Sequence, residues 1–195
     1  MKRKWTWIWM ALALALLASS GTAAKKAGAA EGREPALRVA DPETDAAALA
    51  RIEVLRKKLP VQFQRRNNFA WAVARIEGLQ KVEYFAHSGI QNLDDLSADA
   101  KKRVAGISLA PERGRFEARC VNQSNVVDGP DCWVRTVDTE YKILEDMAAR
   151  LPDSSAQGCL RLYTDLAPCA SCWNVMKQFL AVYTNVQMQV LYKQK

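Results

Sequence analysis

Two cysteines, Cys169 and Cys172, stand three residues apart in the stretch "LYTDLAPCASCWNVMKQFL", where a strand-like apolar run gives way to a helix-like run. At the start of a helix, the backbone N–H groups and the positive end of the helix dipole favour the thiolate form of cysteine. Both disulfide exchange and zinc binding require the thiolate. The spacing therefore leaves three interpretations open: a redox pair, half of a zinc site, or a pair without chemistry.

A redox pair is a serious alternative because a strand, a Cys-x-x-Cys motif and a helix also form the site of thioredoxin-type proteins. A domain of that type needs two more strands and a helix after the motif, whereas only 23 residues follow Cys172. That length accommodates one helix and one strand. An exported thiol-disulfide protein therefore stays as an alternative, as does a non-catalytic binding module that zinc merely stabilises.

For a catalytic zinc site, the chain must supply a third ligand, because such sites use three protein ligands and leave the fourth position to water. Asp138 is a candidate because it precedes the predicted helix "TEYKILEDMAARL" and so occupies a helix start of its own. The sole histidine, His87, is the other candidate. Glu140, two residues after Asp138, would lie near the activated water without binding the metal, which is the position of a general base.

Taken together, these residues resemble a known zinc signature. Asp138-Thr139-Glu140, followed after a helix and a strand by Pro168-Cys169-Ala170-Ser171-Cys172, is similar to the signature of the cytidine deaminase superfamily. The stretches "VDTEYKILEDMA", "LYTDLAPCASC" and "YFAHSG" resemble bacterial deaminase domains at the C-termini of secreted polymorphic toxins, in which Asp replaces the usual His. The resemblance covers roughly residues 69–192.

The fold class expected on this basis is α/β, a cytidine deaminase-like layered sandwich with a mixed sheet of about four to five strands and helices packed on it. The hydrophobic pattern from Asp41 onwards agrees, since it predicts a helix, two strands, an irregular middle, and then helix, strand, helix and strand. A fifth strand would come from the region of Phe116, or the sheet has four strands.

The resemblance also implies a chemistry. It implies a zinc-dependent hydrolytic deaminase in which Asp138, Cys169 and Cys172 hold Zn²⁺ and Glu140 moves the proton. The substrate would be a nucleobase, with cytosine preferred to adenine, in a nucleic acid or a nucleotide. A toxin of this kind would require an immunity protein as a partner.

Four further residues are candidates for substrate binding. His87 and Ser88 end a predicted strand in "FAHSG", where side chains can line a pocket and hold the base. Trp133 and Arg135 lie in the loop before the Asp-x-Glu motif, where an aromatic ring can stack on a base and a guanidinium can hold phosphate.

The remaining three cysteines carry no part of the signature. Cys120 and Cys132 flank a Gly-Pro turn and are candidates for a disulfide outside the cell. Cys159 begins a predicted strand, and we expect it to be buried.

The N-terminus has the layout of a secretory signal. Residues 1–24 have a basic start, an apolar run from about Trp5 to Ala18, and small residues before Lys25. We expect cleavage there, a tether over residues 25–40, and a deaminase-like domain over residues 41–195 with its core at about 69–192. The protein would then be secreted or periplasmic, without stable membrane association. The net charge is +7 for the whole chain, and 25 basic and 21 acidic residues remain after residue 24, a balance that permits a polyanionic partner.

Overall fold

The computed structural model describes residues 33–194, so the predicted signal peptide and the first part of the predicted tether lie outside the described residues. The strands are β1 (Ala36–Val39), β2 (Phe69–Ile76), β3 (Glu83–His87), β4 (Cys120–Val121), β5 (Trp133–Val134), β6 (Gly158–Thr164) and β7 (Val186–Tyr192). The helices are α1 (Ala46–Arg56), α2 (Ala98–Arg103), α3 (Thr139–Ala148) and α4 (Ala170–Val182), and none of them is long and apolar enough to cross a membrane.

Five of the strands form one mixed sheet in the order β1-β7-β6-β2-β3, with the four helices packed on it. The strands β1, β7 and β6 run parallel, whereas β2 is antiparallel to both β6 and β3. Helix α4 makes the crossover between the parallel neighbours β6 and β7, as a parallel connection requires. The predicted α/β class and the mixed sheet of about four to five strands are confirmed, and the sheet has five strands.

The fifth strand is β1, which lies within the segment predicted to be a tether. Its residues Ala36–Val39 pair with Gln189–Tyr192 of β7. Four residues are too few to show a hydrophobic period, and the pairing depends on a strand about 150 positions further along the chain. The other suggested source was wrong: Phe116 belongs to no strand, and its ring packs against Phe179 at a centroid distance of 5.9 Å.

The sheet buries both of its faces, and the larger core lies between the sheet and helices α3 and α4. Alanines at alternate positions of β2 are fully buried there, which allows the helices to approach the sheet closely. The main members of this core are Ala70, Ala72, Ile143, Leu144, Met147, Leu160, Leu162 and Phe179. A second core on the opposite face contains α1 and includes Ile52, Leu55, Phe69, Trp71, Phe85, Tyr163 and Leu191. The consequence for the site is that α3 and α4 lie side by side on one face.

A disulfide joins Cys120 to Cys132 and so closes the segment between the short strands β4 and β5. Cys159 is free and exposed, so the prediction that it is buried was wrong. It lies on the face of β6 opposite to Leu160 and Leu162, which point into the larger core. The sequence therefore placed the cysteine correctly on β6, but Cys159 lies near the start of the strand, where its side chain is not covered.

We expect the bridge between Cys120 and Cys132 to stabilise the domain, because it restricts the unfolded chain. Closing a loop of about 15 residues contributes about 3 kcal/mol. The double variant Cys120→Ser, Cys132→Ser should therefore unfold at a lower urea concentration than the wild type, with a loss of about 2–4 kcal/mol in the free energy of unfolding. The control is Cys159→Ser, which should change it by less than about 0.5 kcal/mol. Equal midpoints for the double variant and the wild type would contradict this expectation.

Candidate metal centre and active site

The starts of α3 and α4 meet at one end of the larger core. Asp138 is the N-cap residue of α3, and Cys169 is the N-cap residue of α4. The Cys169 sulfur accepts a hydrogen bond from the backbone N–H of Cys172 at 3.5 Å, as a capping side chain does. Both helix starts direct N–H groups and positive dipole ends towards the cluster formed by Asp138, Cys169 and Cys172, where they stabilise negative charge.

Both sulfurs lie against the same carboxylate oxygen. The distance to Asp138 Oδ2 is 3.2 Å from Cys169 Sγ and 3.3 Å from Cys172 Sγ. Asp138, Cys169 and Cys172 form the one group of three potential metal ligands that converges within residues 33–194, with all ligand atoms within 4.8 Å of one another. Tetrahedral Zn²⁺ with ordinary Zn–S and Zn–O bonds requires sulfur-to-oxygen separations of about 3.6 Å. The donor set and its spacing therefore fit zinc, with a small outward movement of the ligands.

The protonation of the two thiols agrees with a cation site. The pKa of Cys169 is lowered because its sulfur accepts hydrogen bonds from the side chain and the backbone of Cys172. The pKa of Cys172 is raised well above its usual value, because its thiol donates to Cys169 and because it is buried near Glu140 and Asp138. Without a cation, the cluster therefore keeps a proton on Cys172. Metal binding would release that proton, since thiols coordinate zinc as thiolates.

Glu140 lies beside the cluster but not within it. Its side chain is buried, with 2% of the residue exposed, and Oε2 is 3.6 Å from Cys172 Sγ. Burial, and then the nearby charge of Asp138, raise the pKa of Glu140 above its usual value. A carboxylate that accepts a proton more readily than usual, next to a metal but not needed to hold it, suits the role of general base.

Three polar residues that the sequence motifs did not indicate surround Glu140. Thr164 and Thr139 donate hydrogen bonds to its Oε1 and Oε2 respectively, each at 2.8 Å. Asn68, directly before β2, donates from Nδ2 to both threonine hydroxyls. The one sequence signal for this network was Thr164, a polar residue that ends the apolar strand "CLRLYT".

The structure gives His87 a role different from the predicted one. The residue is fully buried, and burial lowers its pKa. Its Nδ1 accepts from the Gly89 N–H at 3.1 Å, so the Nε2–H donates to the Arg66 carbonyl at 2.9 Å. Both ring nitrogens therefore form hydrogen bonds with backbone groups, and neither is available to a nucleobase or a metal. Ser88 is likewise engaged, since its Oγ accepts from the Asn68 N–H at 3.0 Å.

Trp133 and Arg135, the predicted residues for stacking on a base and holding phosphate, lie near Asp138, and Arg135 already has partners within the protein. Its guanidinium stacks on the Trp133 ring, with the central carbon 3.8 Å from the ring centroid. It also donates to the carbonyls of Val121 and Asn122, and its Nη1 is 3.9 Å from Asp138 Oδ1. Arg135 therefore stabilises the disulfide-closed segment and the outer oxygen of Asp138. The Trp133 ring, 40% exposed, remains open to a stacking partner.

A cavity of about 700 Å³ lies elsewhere, on the face of the sheet that carries α1. Trp71, Arg75, Cys159 and Arg161 are among its lining residues. The side chains of the metal-ligating group face the opposite side of the sheet, where Glu140 is nearly inaccessible.

A layered α/β sandwich with an Asp/Cys/Cys group at two helix starts and a buried glutamate beside it is similar to the sites of zinc deaminases, which have His or Cys in place of the Asp. Residues 52–194 match the toxin-deaminase family model described as the BURPS668_1122 family of deaminases, and the chain belongs to this family. No curated protein and no solved structure matches the chain.

The geometry predicts which substitutions remove the metal. Asp138→Ala, Cys169→Ser and Cys172→Ser should each reduce the zinc content of the purified protein from one ion per chain to well below it, because each removes one of only three protein ligands. Metal analysis by mass spectrometry measures this directly. His87→Ala and Cys159→Ser are the controls and should keep their zinc. Full zinc in Asp138→Ala together with its loss in His87→Ala would show that the third ligand is misassigned.

Proposed function

We propose that this deaminase is a secreted bacterial toxin that uses zinc to deaminate a nucleobase in nucleic acid, with cytosine preferred to adenine. The observation that carries the proposal is the convergence of both sulfurs on Asp138 Oδ2, with Glu140 Oε2 3.6 Å from Cys172 Sγ. This arrangement offers three ligands for a metal and one further carboxylate for proton transfer, and hydrolytic deamination needs both.

When bound at this site, zinc would supply the activation of water for attack on the ring carbon that carries the amino group. Glu140 accepts a proton from the attacking water and passes it to the nucleobase. Ammonia then leaves, and a carbonyl group remains on the ring carbon. The raised pKa of Glu140 favours the first half of this shuttle, because the carboxylate then accepts a proton more readily than an ordinary glutamate does. Burial of the side chain keeps bulk water away from the proton transfer.

A polymeric substrate is supported by the charge around the site. Arg65 and Arg66 are exposed in the loop that leads into Asn68, and within the described residues no carboxylate lies within 4 Å of either side chain. The exposed ring of Trp133 stacks on the guanidinium of Arg135, and that guanidinium lies near Asp138. Cationic side chains that contact phosphates and an aromatic ring that stacks on a base are the usual elements of single-strand recognition.

The toxin proposal rests on the family and on the sequence of the N-terminus. A deaminase that modifies nucleic acid would harm the cell that makes it, so we propose an immunity protein as its partner. Export through the signal at residues 1–24 would place the mature protein in the periplasm or outside the cell. The disulfide between Cys120 and Cys132 is consistent with an oxidising compartment.

The decisive test of catalysis is Glu140→Gln. The change keeps size and hydrogen bonding but removes the base, so the variant should keep its fold and zinc while its activity falls by about 10²- to 10⁴-fold. The assay offers single- and double-stranded DNA, RNA, cytidine and adenosine, and measures conversion to uracil or hypoxanthine. Activity on polymers should fall as salt rises, because phosphate contacts release counterions.

Two results would contradict the proposal. One is a zinc-loaded wild type that deaminates none of these substrates, which would favour a zinc-stabilised binding module. The other is a Glu140→Gln variant as active as the wild type on any of them, which would assign the proton transfer to another group. Activity on free cytidine alone would support the deamination chemistry but would contradict the proposal that the substrate is a nucleic acid.

Export makes a separate prediction. The apolar run from about Trp5 to Ala18 is shorter than the about 20 residues that span a bilayer, so the signal should be removed and not retained as an anchor. N-terminal sequencing of secreted material should give a mature chain that begins near Lys25. A mature protein that retains the first tryptophans would instead be membrane-anchored.

A further inference from the structure

We propose that Asn68, Thr139 and Thr164 are positioning residues that hold both oxygens of Glu140 in the orientation needed for proton transfer. The inference rests on the proposed function and deepens it, because it assigns the orientation of the Glu140 carboxylate to three residues outside the candidate ligand group. Asn68 directs the two threonine hydroxyls, and the hydroxyls direct the carboxylate.

Each threonine hydroxyl makes one bond as acceptor and one as donor. Thr139 Oγ1 accepts from Asn68 Nδ2 at 2.8 Å and donates to Glu140 Oε2 at 2.8 Å. Thr164 Oγ1 accepts from Asn68 Nδ2 at 2.9 Å and donates to Glu140 Oε1 at 2.8 Å. The amide nitrogen has two hydrogens and each hydroxyl has one, so every proton of the network is used.

The direction of these bonds is determined by Asn68. Its Oδ1 accepts from the Leu166 N–H at 3.1 Å, which orients the Nδ2 group towards the two threonines. Its backbone is fixed as well, since the Asn68 N–H donates to Ser88 Oγ and the Ser88 N–H donates to the Asn68 carbonyl, both at 3.0 Å. Because Nδ2 can only donate, the Thr139 hydroxyl directs its own proton to Glu140. The Thr164 hydroxyl has two acceptors within reach, and Glu140 Oε1 at 2.8 Å is closer than Asn68 Oδ1 at 3.3 Å.

The burial of the network makes its geometry matter. Thr139 and Thr164 are fully buried and Glu140 is 2% exposed, so water cannot replace a lost bond without entering the core. With one bond fixed on each oxygen, the carboxylate cannot rotate freely, and its Oε2 remains 3.6 Å from Cys172 Sγ. A carboxylate held in this way is oriented before the substrate binds. Positioning contributes to rate because the reacting groups then need no further ordering.

Two nearly isosteric variants test the two levels of the network. Thr164→Val removes the donor to Oε1. Asn68→Asp keeps an acceptor for the Leu166 N–H but replaces the Nδ2 donor with an oxygen, so the hydroxyls can turn away from Glu140. Both should keep one zinc per chain while kcat falls about 10- to 100-fold, because a displacement of the base of about 1 Å costs that much. KM should stay within about threefold of wild type, because no substrate contact is removed.

Matched controls separate positioning from general damage. Thr164→Ser restores the hydroxyl without the methyl group and should recover kcat to within about threefold of wild type. Thr184→Val makes the same change as Thr164→Val at an exposed residue between α4 and β7 and should have no effect. Crystal structures of Thr164→Val and Asn68→Asp should show the Glu140 carboxylate turned from its wild-type position, a readout that does not depend on activity.

Several results would overturn the inference: unchanged kcat in Thr164→Val, a loss confined to KM, failure of Thr164→Ser to recover activity, or loss of zinc in parallel with activity. If the wild type deaminates no substrate, the proposed function fails. The crystal structures then decide the inference alone, and an unmoved carboxylate in both variants rejects it.

Discussion

The contact on which the rest of the site depends is the approach of two sulfurs to one oxygen, Asp138 Oδ2, at 3.2 and 3.3 Å. Three groups that can each carry negative charge do not converge in a half-buried site unless protons or a cation compensate them. Two helix starts reduce the cost, because their N–H groups and dipoles favour negative charge. They do not remove it, and the raised pKa of Cys172 is the sign that a proton still occupies the cluster. Zinc can take the place of that proton.

The convergence is possible because the two helix starts are supported by packing and not by the site itself. Helices α3 and α4 lie against buried alanines of β2 and the apolar side chains of β6 and β7. The parallel β6-α4-β7 unit determines where α4 begins, since a parallel crossover must leave one strand and return beside it. The cluster can therefore tolerate like charges, because the hydrophobic core supplies the stability that the charges reduce.

The sequence predicted the parts of this site that short motifs encode. The candidate ligands, Glu140 and the helix starts all follow from residue types at fixed spacing, and Asp138, Cys169 and Cys172 converge in the structure. The catalytic role of Glu140 stays a prediction. The sequence did not predict β1, whose four residues form a strand only because a distant edge of β7 is available. It assigned His87 to the substrate, whereas both ring nitrogens bind backbone groups. Such partners are set by tertiary structure, which a periodic pattern cannot show.

Glu140 shows how opposing effects can produce a usable base. Burial and the charge of Asp138 disfavour its ionised form, whereas the hydroxyls of Thr139 and Thr164 favour it. Burial acts to raise the pKa of the carboxyl group, and hydrogen bonds to the ionised form act to lower it. Because the direction of the shift is upwards, desolvation dominates and the hydroxyls moderate it. The threonines therefore act on both the orientation and the proton affinity of the carboxylate, so the base and the surroundings that tune it form one functional unit.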